Sequence, residues 1–383
     1  MSAFWTPQAA IIVFLLVIVA VVISNLITLN RMRLKRYPLP KHLPRVSVMV
    51  PARNEEENIA SCIESLLNQD YHDFELLVLD DHSTDRTWEI LQELARENKK
   101  LRIIKGKPLP SDWLGKHWAC HQMVEEASGE LFLFTDADTK HHPLALRDAV
   151  AALTEEAADL LTALPTEKVS SWGAKLIVPL LPSGLLALLP LSIAYLVRLP
   201  ALSATIGGFM LFRREALKKV GGFEAVRKNP VDDIDLGRRI KAQGLRWRLA
   251  DGQDRISCWM YSNFKEAFEG FTKSLYAAFN RSVPIFLLIW LWLAIVFLEP
   301  LVVLALRIAG VPISDLSLIL AGAAIGISLL LWGISLWRFR FPIHLTFLYP
   351  VSMLIGFVIA IYSMIVTLSG RALWKGRRVG MQS

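Results

Sequence analysis

"ELFLFTDADTKHHP", Glu130–Pro143, sets an apolar run against two carboxylates. Leu131–Thr135 reads as a buried strand, and Asp136 and Asp138 follow it, separated only by Ala137. Carboxylates beside a core are costly unless a positive charge meets them. In an extended chain, side chains at i and i+2 point the same way, so the two acids can converge while Ala137 turns aside. A hard divalent cation, Mg²⁺ or Mn²⁺, suits such a pair of oxygen ligands. The plain alternative is a solvated turn, where aspartate is common.

The strand has companions. "VSVMVPARNEEENIASCIESLL" reads as a strand over Val46–Val50, a polar loop, then a helix with Ile59, Ile63, Leu66 and Leu67 on one face. "FELLVLDDHSTDRTWEILQELA" repeats the scheme, with a strand through Leu79 and a helix from about Asp85. Leu101–Ile104 supplies another strand. Strands alternating with helices predict an α/β domain with a mostly parallel central sheet and a site at the carboxyl edge.

That edge carries polar loops but no G-x-x-x-x-G-K-[ST] and no G-x-G-x-x-G at a strand end. An acidic loop such as "DDHSTD" cannot cradle phosphate, but Asp80 or Asp81 can accept hydrogen bonds from a base or a ribose hydroxyl. Asp85 reads as a helix cap. Farther on, "NPVDDIDLGRRIKAQGLRW" sets Asp232, Asp233 and Asp235 before an expected helix ended by Gly244. Acids at a helix N-terminus are ordinary dipole partners, yet three in four positions exceed what capping needs. A carboxylate beside a cation site is a candidate general base. His141 and His142, next to Pro143, read as solvated loop residues rather than ligands.

The bulk composition points to lipid. Of 383 residues 53% are hydrophobic and mean hydropathy is +0.39, above the soluble norm. Segments near Ala9–Leu29, Val283–Leu306, Ser317–Trp337 and His344–Leu368 are long enough to span a bilayer. Arg31, Arg33, Lys35 and Arg36 place the flank of the first span in the cytoplasm. The expected layout is an N-terminal anchor over 1–30, a cytoplasmic catalytic domain over 31–281, C-terminal transmembrane or re-entrant helices over 283–370, and a basic tail over 371–383. Four crossings put "GRALWKGRR" outside, against its positive charge, so one of the last three segments is expected to be re-entrant or interfacial.

"LIVPLLPSGLLALLPLSIAYLVRL", about 176–199, is broken by Pro179, Pro182 and Pro190. It reads as a monotopic segment on the inner leaflet, with a buried core helix as alternative. Trp259–Phe279 reads as a membrane-surface or packing helix. The net charge of +7 gathers beside apolar segments, not on a domain face, which argues against a nucleic-acid partner. Three scattered cysteines form no CxxC pair, which argues against a zinc site or disulfide framework and fits a reducing compartment.

"VSVMVPARNEEENI", "LLVLDDHSTDRT", "FTDADT", "GGFMLFRREALKKVGGF" and "VDDIDLGRRI" occur in one order over about 45–251. This set resembles the family 2 glycosyltransferases of the GT-A fold, a Rossmann-like nucleotide-sugar domain. With "LPSDWLGKHWACHQ", "MYSNFKEAFEGFTKSLYAAF" and a terminal "WKGR", the chain looks most like membrane-bound carotenoid glycosyltransferases of the hydroxychlorobactene and diaponeurosporenoate type.

The resemblance implies roles residue by residue. Pro51, Ala52, Arg53 and Glu55 match the first loop that contacts the nucleotide, and Asp80 and Asp81 the acids that read uracil and ribose. Lys116 matches a basic residue near the diphosphate or base. Asp136 and Asp138 match the DXD pair, Asp138 being the direct ligand of Mg²⁺ or Mn²⁺. Gly207, Gly208 and Phe209 match a loop beside the donor sugar. Asp232 and Asp233 match a Glu-Asp pair whose second member is the catalytic base, with aspartate here in place of the glutamate. The implied activity is inverting transfer of a sugar, glucose being expected, from a UDP-sugar to a hydroxyl or carboxyl of a membrane lipid such as a carotenoid.

The Q-x-x-R-W motif of processive synthases is missing, since Arg246-Trp247 stands without its glutamine. Transfer of one sugar is therefore expected. A polyprenyl-phosphate sugar transferase is the alternative enzyme, and a transporter the alternative class. Glu299 is the lone acid inside a span, and isolated intramembrane acids are functional candidates.

Overall fold

A computed structural model describes residues 7–32, 37–259, 261–279, 282–370, 373–374 and 377–378. Arg33, Lys35, Arg36, Met260, Arg281, Arg371, Lys375 and the last residues, on which several expectations rest, lie outside the described residues.

The chain divides into two units. One comprises residues 29–168 and 191–260; the other comprises the N-terminal helix, residues 169–190 and everything from residue 261. Residues 169–190 and 261–279 group with the apolar helices. Their side chains explain why. Gly173 leaves no room between its backbone and Phe264, and Leu180 lies against Gly356.

The first unit is built on strands β1 (Val46–Ala52), β2 (Phe74–Asp80), β3 (Leu101–Lys105), β4 (Leu131–Thr135), β5 (Thr139–His141), β6 (Leu160–Leu164), β7 (Thr166–Lys168), β8 (Phe209–Arg213), β9 (Trp247–Asp251) and β10 (Ile256–Trp259). A seven-stranded sheet runs β3-β2-β1-β4-β8-β6-β9, and only β8 pairs antiparallel. A second sheet runs β5-β10-β7. Val46–Val50 and all of β4 are buried, as the strands of a sheet covered on both faces must be. Ile59, Cys62, Ile63 and Leu66 of the helix Ile59–Leu67 join that core.

From β1 the chain moves outward to β2 and β3, then returns to β4 on the other side. Such a reversal opens a crevice at the carboxyl ends. Along this edge stand the ends of β2 at Asp80, of β1 at Ala52 and of β4 at Thr135. Because β8 is antiparallel and pairs Phe209 with Thr135, the preceding Gly207 and Gly208 reach the same edge.

Among the described residues of the second unit, four helical segments are long and apolar enough to cross a membrane: Pro7–Thr28, Val283–Ile308, Asp315–Arg338 and Ile343–Leu368. Each lies within a few residues of its expected span. The 176–199 stretch falls across three short helices, Trp172–Ile177, Leu180–Leu188 and Leu191–Leu196, parted near Pro179 and Pro190. Trp259 closes β10, so the expected helix is shorter, Phe264–Ser274, capped by the Asn263 side chain and burying Ala267, Gly270 and Thr272.

Candidate active site

Two loops form one wall. Arg53 Nη1 donates to the Asp81 carbonyl at 2.6 Å and lies 3.8 Å from its carboxylate. The Asp81 N–H donates to Ala52 O at 2.8 Å. Asn54, at φ +52, accepts from Thr84 N–H, and Glu55 N–H donates to Thr87 Oγ1. The first loop is thus laced to the second, and both Asp80 and Asp81 are buried. Asp80 Oδ1 has no hydrogen-bond partner among the described residues. An orphaned buried acceptor at a crevice edge suits a donor from a ligand. Asp85 sits one residue before the N-cap position, Arg86, and accepts from the Thr87 N–H and hydroxyl just ahead of the helix Thr87–Glu97.

The opening stretch forms the centre. Ala137 is buried at 3% exposure, while Asp136 and Asp138 are half-buried. Lys116, in the first turn of the helix Gly115–Glu126, brings Nζ to 2.5 Å from Asp136 Oδ1. Burial opposes the charge on Lys116, but Asp136 and Asp232 hold its pKa above the usual lysine range. Burial, then Asp136 and Glu55, pushes the Asp138 carboxyl up to about 7, with Lys116 pulling the other way. Asp138 Oδ1 has no hydrogen-bond partner among the described residues.

These observations fit a cation: two crowded carboxylates, one with an orphaned oxygen and a suppressed charge. No three His, Cys, Asp or Glu side chains gather as a metal cage among the described residues. A Mg²⁺-type ion, which keeps waters and shares phosphate oxygens, does not need one.

Asp233 closes the site. The acids of "VDDID" lie within the first turn of the helix Asp232–Ala242 rather than before it. Asp233 Oδ2 accepts from the Gly207 N–H at 3.0 Å and Oδ1 from the Ile234 N–H at 2.7 Å. A Cβ added to Gly207 would stand 3.0 Å from Asp233 Oδ2 and 3.5 Å from Lys116 Nζ, so one amine neighbours both Asp136 and Asp233. Burial, then Asp232, pushes the Asp233 carboxyl up to about 7.

The loop carrying Gly207 is pinned on both sides. Ile206 N–H donates to Thr162 Oγ1, and Thr205 packs into the space above Gly237 while accepting from Trp247 Nε1. The structure therefore brings Lys116, Asp136, Asp138, Gly207, Gly208, Asp232 and Asp233 together. It places Pro51, Ala52, Arg53, Glu55, Asp80 and Asp81 along the adjoining edge.

Two histidines escape a reading from spacing. His117 is buried, with Nε2 2.9 Å from Asn229 O and 3.8 Å from Asp232 Oδ1, holding the turn that launches the Asp233 helix. His141 is not solvated: it is 6% exposed, with Nε2 2.9 Å from Thr139 Oγ1 and 3.1 Å from Thr135 Oγ1. Those hydroxyls donate to Asp136 O at 2.7 Å and Gly208 O at 2.8 Å. With both hydroxyl protons spent on carbonyls, the imidazole is the donor, neutral and protonated on Nε2.

Residues 47–221 match the Glycosyl transferase family 2 model. They form a family 2 glycosyltransferase domain. The match ends before Asp232 and Asp233. The β-monoglucosyldiacylglycerol synthase of Nostoc sp. is 30% identical over 241 residues, 61% of this chain and 46% of that protein. The 4,4'-diaponeurosporenoate glycosyltransferase of Staphylococcus haemolyticus is 26% identical over 256 residues, 65% of this chain and 66% of that one. The chain thus spans about half of the first relative's length. A mannosyltransferase of Pyrobaculum calidifontis, solved with GDP-Man and Mn²⁺, matches over 94% of this chain and 98% of its own, with a TM-score of 0.55 at 19% identity. That likeness is one of fold, and the glycosyltransferase domain here carries the GT-A architecture.

Proposed function

We propose that the chain is an inverting glycosyltransferase that moves one sugar, glucose by expectation, from a UDP-sugar to a hydroxyl or carboxyl of a membrane lipid such as a carotenoid. The observation that carries this reading is Lys116, whose single amine neighbours both Asp136 and Asp233. The names of two relatives, a glucosyldiacylglycerol synthase and a diaponeurosporenoate glycosyltransferase, support a lipid acceptor. Four apolar segments support a membrane location, with the catalytic domain cytoplasmic.

In this reading Arg53, Asp80 and Asp81 grip the nucleoside, and Lys116 meets the diphosphate. Asp138, with Asp136, would hold Mg²⁺ or Mn²⁺. Such an ion, when bound, offsets the charge that builds on the departing diphosphate. The Gly207 N–H orients Asp233, which takes the proton of an acceptor hydroxyl as that oxygen attacks the anomeric carbon opposite the leaving group. One displacement inverts the configuration without a covalent intermediate.

The test is mass spectrometry of lipids from cells with and without the gene, joined to a donor and acceptor screen on purified protein. A glycolipid that vanishes with the gene, and transfer requiring a divalent ion, is the expected outcome. Transfer to polyprenyl phosphate that survives Asp233→Asn would replace the lipid-hydroxyl reading, because an ionised acceptor needs no base. Substrate flux without transfer would overturn the enzyme reading.

A further inference from the structure

The apolar unit resolves the conflict between four crossings and a basic C-terminal flank. Its helices can be ordered by depth from side-chain pairs. Gln8 Nε2 donates to Glu299 Oε1 at 2.6 Å, and the rings of Phe14 and Trp292 lie 5.7 Å apart. The helix Pro7–Thr28 therefore runs antiparallel to Val283–Ile308, and Thr28 lies at the end where Val283 begins. Asp315–Arg338 packs on Val283–Ile308 after a short connection, so it returns Arg338 to that same end.

The last helix, Tyr349–Leu368, also runs antiparallel to Val283–Ile308. Phe297 meets the Tyr349 ring at 6.3 Å, Trp290 flanks Gly356, and Phe286 shares a buried cluster with Ala360 and Tyr276. Tyr276 N–H donates to Ser363 Oγ at 3.0 Å, which ties the tail end of this helix to the chain just before Val283. Leu368 is therefore at the end of Val283, Thr28 and Arg338. A fourth full crossing would require the opposite.

Residues 339–348 make the difference. They leave Arg338, pass Thr346 against Gly333, and reach Tyr349 level with Phe297, a residue 11 short of Ile308. At about 1.5 Å per residue that is about 16 Å before the far end. Ile343–Leu348 is a 3-10 helix rather than an α-helix. Irregular backbone at membrane depth needs protein cover, and Leu345 and Thr346 are buried while Ile343 and Phe347 are 57% and 75% exposed.

We propose that the chain crosses the bilayer three times and that residues 339–348 form a re-entrant arm. The arm enters from the side where Arg338 emerges, presents Ile343 and Phe347 to lipid, and hands over to a helix that returns to that side. Arg338 and Arg340 then share the side of Arg31, as positive charge prefers. The inference does not depend on the catalytic reading.

The test uses three single additions read with a membrane-impermeant maleimide in sealed, uniformly oriented vesicles: His42→Cys, Val311→Cys and Ser369→Cys. The native thiols Cys62, Cys120 and Cys258 are buried, and each test position is exposed. Ser369→Cys is expected to label together with His42→Cys and to lose labelling in the orientation that exposes Val311→Cys. Labelling of Ser369→Cys with Val311→Cys overturns the arm. If Ser369→Cys stays dark even after permeabilisation, protease digestion of an epitope placed after Ser383 decides. Cleavage from the His42 side supports the arm, and cleavage from the Val311 side overturns it.

Discussion

Lys116 Nζ stands 2.5 Å from Asp136 Oδ1, and the same amine approaches the Gly207 backbone that donates to Asp233. One positive charge therefore bonds one acidic station and lies close to the glycine loop that holds the other. Replacing it by the near-isosteric Lys116→Met leaves Asp136, Asp138, Asp232 and Asp233 without that counter-charge and removes the partner proposed for the donor's diphosphate. Loss of one such preorganised group costs about 10²–10³ in rate. The expected outcome is a fall in kcat/KM of about that size with weaker donor binding by calorimetry. Unchanged kinetics would remove Lys116 from the site.

In the proposed role as base, Asp233 sets a pH limb. Its carboxyl is pushed up to about 7 by burial and by Asp232, and only the deprotonated form accepts a proton. kcat/KM is therefore expected to rise as pH rises through about 7 and to level above it. Asp138 is also pushed up to about 7, so the profile is measured at saturating divalent ion, where metal competes off the Asp138 proton. Asp233→Asn is expected to lower kcat by about 10²–10⁴, to abolish the limb, and to leave UDP binding intact. A mutant that keeps both rate and limb would show that another group takes the proton.

Gly207→Ala tests the spacing between donor loop and base. The new methyl would stand 3.0 Å from Asp233 Oδ2, and Thr205 and Thr162 prevent the loop from retreating. The carboxylate has to turn instead. A displacement of that order costs about 10² in rate when it misplaces a reacting group. The expected signature is a fall in kcat with an unchanged melting temperature, measured side by side with the kinetics.

Much of this site is legible in the chain because strand ends announce themselves. Val46–Val50 and Leu131–Phe134 are apolar runs that stop at polar residues, and a parallel sheet brings such stops to one edge. Asp80, Asp136 and Arg53 could be placed there from pattern alone. What pairs with what could not. Lys116 is 20 residues from Asp136, and Gly207 is 26 from Asp233; no periodicity links them, because tertiary packing decides their meeting. His141 beside Pro143 looks like loop, yet the short strand Thr139–His141 pairs with Ile256–Cys258, far away in sequence, and carries it inward. The last apolar segment has the length of a crossing, and its arrest at Phe297 is visible only through contacts with another helix.

That buried histidine makes a final prediction about acid. Burial pushes the His141 pKa down to about 3, whereas an unfolded histidine titrates near 6.5. Below about 6.5 the unfolded state therefore binds a proton that the folded state refuses. Stability is fully present above 6.5 and is lost as pH falls from about 6.5 toward about 3, at about 1.4 kcal/mol per pH unit. His141→Gln keeps an amide donor for Thr135 and Thr139 but cannot titrate. Unfolding midpoints followed between pH 7 and pH 5 are expected to fall less steeply in the variant than in the parent. Equal slopes would mean that the imidazole is already charged in the fold, and the donor assignment on which the Asp136 and Gly208 carbonyls depend would fail with it.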